Sequence, residues 1–140
     1  RISQFDALLD EAGRLITAVR TATSRLKLIA WAVPSTAQPI QRLGDSGNQG
    51  QSIRQSALMC HADQLMTAVL TPTGACKLIA WSIPASTLPA SEIMCLGEST
   101  PQTAAGALVG LCREALDGNA PIMTSTVTAN GALKLITWRA

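Results

Sequence analysis

The chain has 140 residues, 47% of them apolar and only 14% charged, with a net charge of +2. That length can bury a real core in a single domain, 1–140, without disulfides or metal. The Lys and Arg residues are scattered and too few for a phosphate footprint, which argues against nucleic acid, and no apolar run reaches the ~20 residues of a membrane span. A charged fraction well below the roughly 25% usual for soluble domains leaves two readings: an exterior rich in Ser, Thr, Gln and Ala, or apolar surface covered by another subunit or partner.

The opening segment, Ser3 to about Ala12, sets Phe5, Leu8, Leu9 and Ala12 at helical spacing and predicts a helix ended by Gly13. Asp6 and Asp10 fall at i, i+4 on it, a like-charge spacing that marks a solvated face rather than a carboxylate pair for catalysis. Next comes a hairpin, Leu15–Pro34. Its first arm is rich in Thr, Val, Ile and Leu, its turn lies at Thr23-Ser24, and Lys-Leu-Ile-Ala-Trp returns as the second arm. Alternation places Lys27, Ile29, Trp31 and Val33 on one side and Leu28, Ala30 and Ala32 on the other. Neither side is cleanly polar, so both need cover, and the Ala side would let a helix approach closely.

A Pro-punctuated connector ends in Leu43-Gly44-Asp45-Ser46 and a Gly-rich loop, after which Gln51–His61 predicts a second, weaker helix carrying Ile53, Ala57 and Leu58. A shift of fifty positions then brings Leu65–Pro84 onto Leu15–Pro34 with twelve of twenty residues identical and no gap. The connector also returns, as Leu96-Gly97-Glu98-Ser99. Thr103–Asp117 carries a longer apolar stripe, including Ala104, Ala107, Leu111 and Ala115, that predicts a third helix stopped at Gly118-Asn119. A further shift of fifty-seven aligns the last hairpin, Ile122–Ala140, so that Lys27, Lys77 and Lys134 coincide, as do Trp31, Trp81 and Trp138. Its turn, Asn130-Gly131, predicts type I′ geometry. The expected fold is therefore α+β: three αββ repeats, with about six strands in one antiparallel sheet and helices packed on it.

No reaction centre emerges from these residues. Ser46 and Ser99 sit where a turn would precede a helix N-cap, and the strand-to-helix context of a nucleophile elbow is missing. His61 is the only histidine, so every histidine-based scheme rests on that one residue, and a small enzyme using a cleft residue such as His61, Cys95 or Ser99 stands as an alternative. The four cysteines, at 60, 76, 95 and 112, form no C-x-x-C pair and suggest no metal site. Cys76 in a strand and Cys112 on an apolar helix face favour free buried thiols and a reducing compartment. With no signal-peptide pattern at Arg1, the expectation is a cytoplasmic protein without cofactor.

The repeated Trp31, Trp81 and Trp138, with Lys27, Lys77 and Lys134, are the candidate binding residues. They serve either as one large core residue per repeat or as a contact face for a partner. Pseudo-symmetry, low charge and the missing reaction centre together suggest a non-enzymatic intracellular protein-interaction or self-assembly module, a homo-oligomer with its terminal hairpin edge open to strand addition. A predicted helix over Ala107–Asn119 followed by the hairpin Met123–Trp138 loosely resembles the small dimeric type III secretion chaperones. That resemblance implies an adaptor for a disordered client, although the basic character and the missing C-terminal helix depart from the family.

Overall fold

The computed structural model describes residues 4–48, 52–61, 64–83, 92–103, 106–113 and 121–138. Every regular element among them is a strand. The first sheet is a meander of β1 (Gln4–Leu9), β2 (Arg14–Arg20), β3 (Leu26–Ala32) and β4 (Gln41–Asp45). The second repeats it with β5 (Gln55–His61), β6 (Gln64–Leu70), β7 (Ala75–Ser82) and β8 (Cys95–Glu98), and the two-residue β9 (Gln102–Thr103) also pairs with β7. The third contains β10 (Ala107–Arg113), β11 (Ile122–Val127) and β12 (Leu133–Trp138). All pairings are antiparallel. The register is conserved between repeats: Leu15 faces Trp31, Leu65 faces Trp81, and Ile122 faces Trp138.

The three hairpins stand where the repeat predicts them, but the fold is all-β, and the α+β expectation is corrected. The segments expected as helices over Ser3–Ala12, Gln51–His61 and Thr103–Asp117 contribute β1, β5 and β10, the first strand of each sheet. Ser3, Gln51, residues 104 and 105, and residues 114–119 with the expected stop at Gly118-Asn119 lie outside the described residues. A strand covered on both faces has no polar side, so its apolar residues satisfy a helical spacing as readily as an alternating one. With the helices gone, the sheets cover one another. There is no single six-stranded sheet.

Turn chemistry differs from expectation as well. Thr21 donates its N–H to Arg25 O (2.9 Å) and accepts the Ser24 N–H on its own carbonyl (2.9 Å), and the pattern recurs at Thr71–Ala75 and Thr128–Ala132. Only the fourth residue of each turn has positive φ: Ser24 (60°), Gly74 (80°) and Gly131 (82°). Type I′ needs two such residues. These are type I turns closed by a left-handed residue at a bulge, which leaves Asn130 in ordinary backbone.

The sheets pack face to face as a fan. Their Cα atoms come within 8 Å mainly along the first strands, β1 against β5 and β5 against β10. Small residues such as Ala57 and Gly110 occupy these strands. The Asp6 carboxylate joins the first two by accepting the Leu58 N–H (2.8 Å). Asp10, expected on a solvated face, is buried and ion-paired to Arg14 (2.6 Å). Farther out the gap widens, and large side chains fill it. Ile16, Leu28 and Ala30 of the first sheet meet Leu65, Ile79 and Trp81 of the second. Ala68, Cys76 and Leu78, on the opposite face of the second sheet, meet Ile122, Ile136 and Trp138 of the third. Each fully buried Leu or Ile contributes about 1.5–3 kcal/mol.

Candidate functional site

The Lys-Leu-Ile-Ala/Thr-Trp arm has two faces with different roles. Lys, Ile and Trp lie on one, and the two Leu-type positions (Leu26 and Leu28, Cys76 and Leu78, Leu133 and Leu135) on the other. In both docked interfaces the Trp face of one sheet rests on the Leu face of the sheet before it. Each indole is oriented by its own sheet: Trp31, Trp81 and Trp138 donate Nε1–H to Thr17, Thr67 and Thr124 Oγ1 at 3.0, 2.9 and 3.1 Å. A buried indole N–H needs such a partner, and the Thr two residues along the facing strand supplies it.

The lysines mark the outer side of the same face. Lys27 pairs with Asp45 (3.3 Å), which also holds Arg42, and Lys77 pairs with Glu98. Lys134 occupies the equivalent place on β12 and is exposed. The acids belong to the repeated connector, whose serines act on the backbone. Ser46 Oγ accepts the Leu28 N–H (2.9 Å) and donates to Gly47 O (3.1 Å); Ser99 Oγ accepts from Leu78 (2.9 Å) and donates to Thr100 O (3.2 Å). The N-cap expectation is corrected: these hydroxyls lock the outer strand onto β3 or β7. Such a hydroxyl is poorly placed to be a nucleophile.

The structure separates the candidate residues by environment. Trp81 is fully buried, whereas Trp31 and Trp138 are partly exposed. Trp31 lies on the face of the first sheet that no described sheet covers, where it lines a depression of about 290 Å³ with Val19, Lys27, Ile29 and Arg42. At the other end, the Leu face of the third sheet is open. Leu133 and Leu135 are 67% and 61% exposed, against 1% and 0% for their counterparts Leu26 and Leu28. The two uncovered faces are thus of opposite kinds.

Among the other candidates, Cys95 is exposed on β8 and the His61 side chain lies outside the described residues. None of the four cysteines is in a disulfide. Cys76 is buried as expected, and burial pushes its thiol above the ordinary value, offset in part by the Thr124 hydroxyl. Cys112, expected buried on a helix, is exposed on β10. Among the described residues no three His, Cys, Asp or Glu side chains gather as a metal site would require, and no helix is long and apolar enough to cross a membrane. The helix on which the chaperone resemblance rests is β10 over Ala107–Arg113.

Sequence reasoning missed the residues that join the sheets. Asp6 and Ile93 both act across a sheet boundary; Ile93 is fully buried and donates its N–H to Asp45 O (3.1 Å). The repeated Thr of the first arm was a readable signal for the indole partner, since it recurs wherever the Trp does. A scan against protein-family models and a search of curated proteins return no match to this chain.

Proposed function

We propose that this chain is a non-enzymatic assembly module of β-propeller type, in which each repeat is one blade and the Trp31 face receives the Leu133/Leu135 face of a second copy. The supporting observation is that the same docking, Trp face onto Leu face, occurs twice within the chain and leaves one uncovered face of each kind. Propellers stack four-stranded sheets around an axis, typically four to eight of them, with repeats of about 40–50 residues. A head-to-tail contact between identical chains closes into a ring when its rotation allows and otherwise grows as a filament. Two copies supply six sheets, within the propeller range. Covering Leu133 and Leu135 removes from water an apolar patch of the kind that marks an interaction surface.

Sedimentation velocity tests this reading. The chain should run at twice its 14.6 kDa mass. Leu135→Glu on one face, or Ile29→Glu on the other, should each weaken the dimer. Mixing the two variants should restore association through the single interface that both leave intact. A chain that stays monomeric at high concentration, or variants that dimerise as well as the parent, would refute it.

A further inference from the structure

Sheets one and two each end in an outer strand with the same chemistry, Ile40-Gln-Arg-Leu-Gly-Asp-Ser46 and Ile93-Met-Cys-Leu-Gly-Glu-Ser99. Among the described residues the third sheet ends at β12. We propose that the outer edge of β12, with the cavity beside it, is an acceptor for an extended strand carrying Ile-x-x-Leu-Gly-(Asp/Glu)-Ser, the sequence that closes each of the first two sheets.

The two filled positions define what the third would hold. In each, Ser exchanges a pair of hydrogen bonds with one Leu of the neighbouring strand. Leu28 and Leu78 donate N–H to Ser Oγ at 2.9 Å and accept the Ser N–H at 3.0 and 2.9 Å. Leu135 is their counterpart: it pairs with Ser125 as Leu28 pairs with Ala18 and Leu78 with Ala68. In that register its N–H and C=O point away from β11, toward the open edge. Lys134 stands where Lys27 and Lys77 meet Asp45 and Glu98. An open strand edge of this kind is a template for β-augmentation, in which backbone bonds supply affinity and side-chain seats supply specificity.

The seat for the Ile is also identifiable. Ile93 lies in the core formed with Ile16, Leu28, Ala30, Leu65 and Trp81. The counterparts of those five residues, Met66, Leu78, Ala80, Ile122 and Trp138, line a cavity of about 260 Å³ between the second and third sheets, with Gly97–Ser99 at its rim. By the same correspondence, Glu98 O would receive the incoming Ile N–H, as Asp45 O receives that of Ile93. One repeat thus shows the cavity filled and the next shows it open.

The proposal is independent of self-association, because the strand extends the third sheet sideways and leaves its Leu face uncovered. The test is calorimetric titration of the whole chain with a synthetic peptide of residues 39–47, Pro-Ile-Gln-Arg-Leu-Gly-Asp-Ser-Gly. Saturable binding at one site is expected, with slowed exchange of the Leu135 amide and no change at Leu28. Peptides carrying Ile40→Asp or Ser46→Ala should bind at least tenfold more weakly. Leu135→Pro in the protein should abolish binding without costing a β11–β12 ladder bond; if that variant misfolds, the peptide substitutions decide. A scrambled peptide that binds equally, or protection at Leu28 instead of Leu135, would overturn the proposal. Binding by a monomeric Leu133→Glu chain would uphold it even if the assembly reading failed.

Discussion

Replacing Thr67 by Val removes one oxygen from a site that water cannot enter. Thr67 and Trp81 are both fully buried, and the lost atom is the 2.9 Å acceptor of the indole N–H. Val keeps the shape and the strand preference of Thr, so the change isolates an unsatisfied donor. Such a donor costs about 1–3 kcal/mol, which in a domain of this size lowers Tm by roughly 4–12 °C. Thr17→Val deletes the same bond (3.0 Å) at partly exposed Trp31, where water can replace the acceptor, and should cost about 0.5 kcal/mol. Urea unfolding at low protein concentration, followed by Trp fluorescence, measures both. Equal losses at the two sites, or a neutral Thr67→Val, would refute the argument that sheet-on-sheet packing dries the second site and not the first.

Three other outcomes follow from the same geometry. Ser46→Ala should destabilise the chain by about 1–3 kcal/mol, because fully buried Ser46 satisfies the Leu28 N–H; Ser99→Ala, at a more exposed copy, should cost less, and amide exchange at Leu28 and Leu78 reports each bond. Ser24→Gly should stabilise by about 1 kcal/mol in urea unfolding, since Ser24 alone among the three turn residues carries a side chain at positive φ. For Cys76, burial raises the folded-state value above the ordinary 9.0, so its contribution to stability is complete below that pH. Above it the unfolded chain ionises first, and stability should fall as pH rises toward the folded value. Denaturation at pH 8 and pH 10 should show this fall, reduced in Cys76→Ala, while a thiol reagent modifies exposed Cys95 and Cys112 long before Cys76.

Much of the local structure was legible in the sequence because it depends on neighbours along the chain. The fifty-residue repeat, the three hairpins and their register follow from Thr- and Val-rich arms, turn residues and the recurring Lys and Trp. The first strands were not legible. Ala107, Leu111 and Ala115 match a helical stripe, and period alone does not distinguish a helix from a strand buried on both sides. The outer-strand serines were visible as a repeated pair, but only the paired backbone shows that they bind Leu28 and Leu78.

The sequence by itself thus determined the repeat, the two-faced arm and the need for cover on both of its faces, since no alternation of Lys27, Leu28, Ile29, Ala30 and Trp31 yields a polar side. What covers them was a tertiary decision. Once β1, β5 and β10 are strands, no helix among the described residues packs on the sheets, and the Leu faces of the first two sheets are buried by the Trp face of the next. Side chains far apart in sequence make that contact, so its existence, and the exposure of Trp31 and Leu135 at either end, follow from the stacking of sheets and from no local pattern.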